Sequence, residues 1–344
     1  MDTVSTVLGV VFSLVVAVVP AAVYALVVWW GDRYEKEPVW LLAVTFVWGA
    51  IPAIVISMLA EVIFGVPLAG LQAERLANVL EASAIAPVVE EAVKGLALLG
   101  IFLALRREFD DVLDGVVYGA LVGIGFGMTE NLLYFTSTFF EGGWTDWGMV
   151  VFLRAAVFGL NHAFFTAFTG AGLGVARMAR RGWQKWLMPL VGLGAAVTFH
   201  GLHNLGVTLA EASLGGLLLS LVADAGGMLV LLVIVLLAWQ QERRWIETEL
   251  RGEVGGLLTR SEYLAASVYG RRLRLWWNAL VRGGWKAASR QAREHRLVTE
   301  LAFRKHQLRV LDDEEDVALL TEIQGLRQAI AAALGKAEVP SPAV

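Results

Sequence analysis

Two adjacent carboxylates and a lysine stand inside an otherwise apolar stretch, the segment Pro87–Lys94. On a helix, Glu90 and Glu91 lie four and three residues before Lys94, so the ammonium can neutralise one carboxylate and leave the other for chemistry. Two carboxylates this close cannot both ionise cheaply where the dielectric constant is low, so one of them should hold a proton more readily than usual. That property suits a general acid or base.

Three more apolar stretches carry polar groups of similar kinds. One contains a glutamate, the next a histidine, and the third a histidine one helical turn before an asparagine. Such groups are costly inside a membrane and usually face the interior of a helix bundle or a water-filled cavity. The candidate site residues are therefore Glu90, Glu91, Glu130, His162, His200 and Asn204.

The composition predicts a membrane protein. Hydrophobic residues make up 57% of the 344 residues and charged residues 17%, with a mean hydropathy of +0.62. Soluble domains have about 45–50% apolar and about 25% charged residues. The lack of cysteine excludes a disulfide scaffold, and no basic excess indicates a nucleic-acid partner. We expect a polytopic all-α protein surrounded by a lipid bilayer.

Seven stretches are long and apolar enough to cross a hydrocarbon layer of about 30 Å, which takes about 20 helical residues. The more polar remainder is predicted to be a cytoplasmic helical tail, which divides the chain into a membrane domain, residues 1–240, and a tail, residues 241–344. In the tail, His295 and His306 lie among charged neighbours and are expected to be solvated. The predicted spans are Val4–Trp30, Val39–Phe64, Ala84–Leu105, Val112–Phe140, Met149–Met178, Trp186–Leu209 and Leu214–Trp239.

Basic residues in the loops predict the orientation. They occur after spans one, three, five and seven, whereas the N-terminus and the intervening loops contain only Arg75. Because basic loops stay in the cytoplasm, the N-terminus should be external and the C-terminus cytoplasmic. The basic residues are Arg33, Lys36, Arg106, Arg107, Arg180, Arg181, Lys185, Arg243 and Arg244.

The helical rise predicts that the candidate residues meet. Counted at about 1.5 Å per residue from the outer end of each predicted span, Glu90 lies at about 9 Å, Glu130 at about 15 Å, His162 at about 20 Å and His200 at about 14 Å. Allowing for tilt, they can share one layer. A stripe of small residues just before Glu130 should let another helix approach closely. The stripe consists of Gly115, Gly119, Gly123 and Gly127.

Structural roles are expected for the other polar groups of the spans. Asn131 and Asn161 should be interhelical hydrogen-bond partners, His203 a satisfied bundle histidine, and Arg154 the partner of Asp224. A proton- or solute-coupled transporter would also place Glu and His at mid-depth, so the residues alone leave transport as an alternative to hydrolysis. The repeat of spans typical of transporters is not visible in the sequence.

Four short patterns, in order along the chain, resemble the PrsW family of bacterial intramembrane proteases. They are Pro87–Lys94 with its paired Glu, Asp114–Gly119 leading to Glu130–Tyr134, Asn161 with His162, and His200–Asn204. The resemblance spans most of residues 31–240. The same residues are similar to the wider CAAX-processing and bacteriocin-immunity membrane proteases, although the arginine expected five residues after the first Glu is Gly95 here.

The resemblance implies an intramembrane endopeptidase of the bacterial plasma membrane that hydrolyses a peptide bond of a membrane-anchored protein. A transporter is the alternative, and a non-catalytic scaffold is third. The implied roles are water activation for Glu90 and His162, oxyanion stabilisation for His200 and Asn204, and orientation of neighbouring groups for Glu91 and Glu130.

Dependence on a metal stays open at this point. A zinc-dependent version of the same protease would use Glu90, His162 and His200 as ligands. Because the chain has no His-Glu-x-x-His pattern, we favour a mechanism without a cofactor.

The tail contains a basic, aromatic stretch over residues 271–282. Two interpretations fit it equally well: contact with the anionic cytoplasmic leaflet, or packing of an amphipathic helix on its neighbours in the tail.

Overall fold

The computed structural model describes residues 2–65, 74–210, 212–311 and 317–336. Within these residues the chain is helical, and the one β contact is an isolated bridge between Val254 and Leu258. The prediction of an all-α membrane protein is confirmed. The α-helices are α1 (Thr3–Gly31), α2 (Val39–Trp48), α3 (Ile54–Gly65), α4 (Glu74–Leu80), α5 (Ala86–Ala104), α6 (Val112–Val151), α7 (Asn161–Met178), α8 (Gly182–Ala210), α9 (Leu214–Glu249), α10 (Arg260–Ser267), α11 (Tyr269–Leu311) and α12 (Val317–Ala333).

The chain divides into two compact units. The membrane unit comprises Met1–Asp32 and Glu37–Leu236, and the tail unit comprises Arg33–Lys36 and Leu237–Val344. All six candidate site residues belong to the membrane unit. Residues 312–316 and 337–344 of the predicted tail lie outside the described residues. The predicted division at residues 240 and 241 remains a proposal.

Five segments of the described chain are long and apolar enough to cross a membrane. One of them, Val112–Met178, has 67 residues and at about 1.5 Å per residue is more than twice as long as the hydrocarbon layer is thick. It contains the predicted spans four and five. The third predicted span corresponds to α5, whose 19 residues include the charged candidates. The count of seven spans remains a prediction. The other segments are Thr3–Gly31, Val39–Phe64, Gly182–Ala210 and Leu214–Glu253.

The chain breaks twice between Val112 and Met178. Gly143, with φ 72°, interrupts α6 between the predicted spans four and five. A second break, between α6 and α7, was not predicted and sets the position of His162. A π-helical turn over Phe152–Val157 follows α6, and α7 begins only at Asn161. Phe158 has φ −109° and ψ 11°, so the helix is interrupted inside the predicted span Met149–Met178. His162 therefore stands in the first turn of a new helix.

Glycines let α6 and α7 pack backbone against backbone, as the sequence predicts. A Cβ atom at Gly115 would overlap the carbonyl oxygen of Gly170, and one at Gly123 would overlap that of His162. At Gly127 it would lie 3.0 Å from the imidazole carbon Cδ2 of His162. The stripe thus fixes the distance between the helix that carries Glu130 and the helix that carries His162.

The tail unit has a hydrophobic core of its own. Leu250, Leu257 and Leu301 are buried in it together with Tyr34, which comes from the first loop. Tyr34 packs edge to face on Tyr269, with ring centroids 6.1 Å apart.

The prediction that His295 and His306 are solvated was wrong. His295 is 5% exposed, and His306 stacks on Trp245 with ring centroids 4.1 Å apart. Burial lowers the pKa of His295 to about 4, with the charge of Arg272 acting in the same direction. Charged neighbours in the sequence did not reveal which side of the helix faces the core.

Candidate active site

The ammonium of Lys94 lies at the centre of the polar groups in the membrane unit. Nζ donates to Oε2 of Glu90 at 2.9 Å and to Oε1 of Glu91 at 2.8 Å, and it lies 3.2 Å from Nδ1 of His162. The side chain is fully buried and its charge lies 3.7 Å from the ring centroid of Phe126. Lys94 therefore binds both carboxylates, whereas the sequence suggested that it would neutralise one.

The two carboxylates differ in what else they contact. Glu91 is completely buried, its Oε1 lies 3.1 Å from Nδ1 of His200, and its Oε2 accepts from Thr166 at 2.9 Å. Glu90 is 7% exposed and lines a cavity of about 760 Å³. Within the described residues its Oε1 has no hydrogen-bond partner. Glu91 is thus a buried anchor, whereas Glu90 retains an oxygen for a molecule in the cavity.

His162 uses both of its ring nitrogens. Because an ammonium can only donate, Nδ1 accepts from Lys94 and the proton of the neutral ring is on Nε2. Nε2 lies 2.6 Å from Oε2 of Glu130, which accepts. Glu130 also pairs with Arg154 at 2.7 Å. This arrangement leaves no nitrogen of His162 to hold a water.

His200 lies behind the two carboxylates. Its Nδ1 donates toward Glu91, and its Nε2 lies 3.9 Å from Oε2 of Glu90. The ring stacks on Phe165 with centroids 4.7 Å apart and planes 10° from parallel. Packing and the bond to Glu91 together hold the imidazole in place.

Asn204 lies at the wall of the same cavity and outside this network. Its Nδ2 donates to the carbonyl of Ala82 at 2.8 Å, and an amide nitrogen has a second N–H to offer. Hydrogen bonds thus connect five of the six candidates and leave the sixth facing the cavity. The connected residues are Glu90, Glu91, Glu130, His162 and His200.

Several neighbours of the site were not predicted. Arg154 bonds Glu130 and Asn131, so the predicted pairing of Arg154 with Asp224 is wrong. Thr166 supports Glu91 from α7. Because Thr166 follows His162 by four residues, its place on the same helix face could have been read from the sequence.

A second polar cluster surrounds Asp224 in the membrane unit. Its Oδ2 accepts from Nδ1 of His203 at 2.8 Å and from Nδ2 of Asn161 at 3.0 Å. Ser220 Oγ lies 2.8 Å from the same histidine nitrogen. A Ser–His–Asp relay needs the serine and the aspartate on opposite ring nitrogens, so this cluster is not a serine-protease triad. It fixes Asn161, the neighbour of His162.

These features define a class of protein. A polytopic helical protein that brings carboxylates, their cation and imidazoles together beside a cavity has the arrangement of an intramembrane hydrolase. Residues 37–240 match the family model described as "PrsW family intramembrane metalloprotease", and the chain belongs to this family. It is an intramembrane protease, an enzyme that acts on a protein substrate, and transport is not favoured. The match ends before most of the tail unit.

Curated relatives agree with this assignment. The chain is 29% identical over 184 residues to Protease PrsW of Geobacillus kaustophilus, which covers 52% of this chain and 75% of that protein. It is 29% identical over 157 residues to Protease PrsW of Bacillus subtilis, covering 45% and 65%. For Protease PrsW of Halalkalibacterium halodurans the identity is 28% over 199 residues, covering 56% and 82%. No solved structure matches the chain significantly.

The family description includes a metal, and the site contains donors of the right kinds. Glu90, Glu91, His162 and His200 each offer one ligand atom, and the four atoms lie within 4.8 Å of one another. The ammonium of Lys94 already contacts three of these residues. A metal ion would compete with it for the same atoms, and the two cations would repel each other. The donor set does not fit a metal ion while Lys94 holds this position.

Proposed function

We propose that the chain cleaves a peptide bond of a membrane-anchored protein at this cavity, with Glu90 as general base and without a metal ion. The observation that carries the proposal is the asymmetry of Glu90, which binds Lys94 through one oxygen while the other has no partner in the described part of the chain. Glu91 shares the same ammonium, so the carboxylate pair keeps a net negative charge. That charge favours removal of a proton from a water in the cavity.

The proposed reaction is a hydrolysis in two steps. A water beside Glu90 gives a proton to the carboxylate, and the water oxygen attacks the carbonyl carbon of the scissile bond. The tetrahedral intermediate carries a negative oxygen, which the second N–H of Asn204 stabilises. Glu90 then passes the proton to the leaving nitrogen, and the C–N bond breaks to give a carboxylic acid and an amine.

The remaining candidates act as positioning residues in this proposal. Glu91, which His200 supports, holds Lys94 from one side, and His162, which Glu130 supports, holds it from the other. His162 does not activate the water here, because both ring nitrogens are engaged. His200 could donate to an oxyanion only after gaining a second proton, because its Nδ1–H is directed at Glu91.

A co-expression assay against a library of single-span membrane proteins tests the proposal. The matched variants are Glu90→Gln, which removes the base, and Glu141→Gln, which makes the same chemical change at an exposed residue bonded to Ser137. We expect cleavage by the wild type and by Glu141→Gln, and a loss of about 10²- to 10⁴-fold in Glu90→Gln. Full activity of Glu90→Gln would overturn the proposal.

A further inference from the structure

The first half of α11 exposes a row of large apolar side chains. Leu273 is 45% exposed, Trp277 58%, Val281 68% and Trp285 71%. The four-residue spacing places Leu273, Trp277 and Val281 along one side of the helix. Gly284, with φ 68°, interrupts the helix just before Trp285. The second half of α11 differs, because its apolar residues, such as Leu301, are buried in the core of the tail unit. Packing on neighbouring tail helices therefore explains the apolar side chains in the second half of α11. It does not explain the exposed row in the first half.

Basic residues accompany this row without acidic ones. No Asp or Glu occurs between Glu262 and Glu294 in the sequence. On α11, Arg271, Arg274 and Arg282 are exposed beside the apolar row. Tryptophan prefers the interface between lipid and water, and a helix that combines aromatic and basic residues binds bilayer surfaces that carry negative charge.

We propose that residues 271–286, the basic-aromatic face of α11, bind the surface of a bilayer that contains anionic phospholipids. Anionic phospholipid is the expected partner because the arginine and lysine side chains can bind phosphate headgroups. The indole rings suit the interface between lipid and water. The tail unit belongs to a membrane-spanning chain, so a bilayer is always within reach of it. This property is independent of the proteolytic site.

A fluorescence experiment on the full chain in lipid bilayers tests this proposal. The chain has no cysteine, so Val281→Cys can carry a single environment-sensitive dye, and Thr321→Cys on the exposed side of α12 is the matched control. In bilayers containing phosphatidylglycerol, we expect a blue-shifted emission and quenching by spin-labelled lipids at residue 281 and neither at residue 321. In phosphatidylcholine alone, both sites should report water.

Charge variants separate this proposal from its alternatives. The triple change Arg274→Gln, Arg282→Gln and Lys286→Gln should lower the ratio of bound to free tail about fivefold for each charge removed. Replacing the two arginines with lysine should preserve binding. Equal signals in both lipids would overturn the proposal. A signal that depends on the ratio of protein to lipid, and not on lipid charge, would also overturn it and would indicate a second copy of the chain.

A different observation concerns Glu61 on α3, which lines the same cavity as Glu90. The charged residues lining this cavity are Glu61, Glu90, Glu130 and Arg154. Arg154 is paired with Glu130 and Glu90 with Lys94. The Glu61 side chain has no hydrogen bond or ion pair within the described residues. Glu61 is therefore the one acidic residue of the described cavity wall that has no basic partner. A carboxyl group without a partner in a membrane-spanning helix usually serves a function.

The geometry points to Glu61 as a specificity-determining residue that binds a basic side chain of the substrate. This inference rests on the proposed proteolytic function, because it assigns part of the same cavity to the substrate. A lysine or arginine of the substrate near the scissile bond would supply the basic partner that Glu61 lacks. The charged hydrogen bond to Glu61 would replace the water that hydrates this basic side chain in solution.

Cleavage of a matched set of substrates, with Lys, Gln or Glu at positions flanking the cut, tests the role of Glu61. We expect the wild type to prefer Lys over Gln by about tenfold to hundredfold in kcat/KM, mainly through KM. Glu61→Gln should lose the preference for Lys and keep the kcat for the Gln substrate. Glu61→Asp should retain part of the preference for Lys. Glu61→Lys should prefer the Glu substrate.

The outcomes distinguish this inference from the function on which it rests. Equal preference in the wild type and Glu61→Gln would overturn the role of Glu61 alone, provided that Glu90→Gln abolishes cleavage of every substrate. Activity that persists in Glu90→Gln would overturn the proposed mechanism instead.

Discussion

At the scale of single residues, Lys94 is the group on which the site depends. Its ammonium compensates two carboxylates that have almost no access to solvent. Buried charges are tolerated when they are paired, and removing one partner leaves an uncompensated charge. The consequences of a substitution should therefore depend on how many partners the residue has.

Glu91→Gln should destabilise the membrane unit more than Glu90→Gln does. In Glu91, both oxygens accept hydrogen bonds, so an amide group would turn a donor toward Lys94, His200 or Thr166. Breaking a buried pair costs about 3–5 kcal/mol. Glu90 is partly open to the cavity, where an amide can be solvated. Thermal unfolding of the detergent-solubilised variants checks this, and equal midpoints would contradict it.

Metal content provides a second prediction at this scale. If the ammonium of Lys94 holds the cation position, the purified wild type should contain substoichiometric zinc and keep its activity after dialysis against a strong chelator. Lys94→Ala should bind more zinc than the wild type, because the competing cation is gone while all four donors remain.

Elemental analysis of the wild type, Lys94→Ala and His200→Gln measures the zinc content per protein molecule. Near-stoichiometric zinc in the wild type that disappears in His200→Gln would establish a zinc site and refute the role given to Lys94.

At the scale of helices, the glycine stripe of α6 determines where His162 lies. A methyl group at Gly123 would meet the carbonyl oxygen of His162, whereas one at Gly194 on α8 would meet nothing within 4 Å. Gly123→Ala should push α7 away, cost about 1–3 kcal/mol of stability and lower cleavage, because His162 would leave Lys94. Gly194→Ala should behave like the wild type. Unfolding midpoints and cleavage rates of the two variants are compared, and unchanged activity in Gly123→Ala would show that the close packing is not required.

The sequence supports some features of this arrangement better than others. Spacing alone identified Glu90, Glu91 and Lys94 as neighbours, because residues three and four apart share a helix face. Helical rise gives the depth of a residue and not the direction in which it faces. For this reason the sequence suggested a pair between Arg154 and Asp224 that does not form. The break before Asn161 depends on a π-helical turn, which the hydrophobic pattern does not register.

At the scale of the whole molecule, the loop charges predict an external N-terminus and a cytoplasmic C-terminus. Single cysteines in this cysteine-free chain should react with an impermeant maleimide from outside at Gly142 and Ser213, and should not react at Arg107 or Gly182. Labelling in intact cells, with permeabilised cells as the control for reactivity, tests the orientation. Labelling of Gly182→Cys in intact cells would reverse it.

The presence of Tyr34 in the core of the tail unit also restricts the number of times the chain crosses the bilayer. Residues 33–36 and the residues after 236 belong to one unit, so we expect them to lie on one side of the membrane. The chain between them must then cross an even number of times. Between residues 36 and 237, the segments on either side of α5 supply five crossings if Val112–Met178 counts as two. Parity therefore predicts one more crossing, and among the described segments we expect α5, the helix that carries Glu90, to make it.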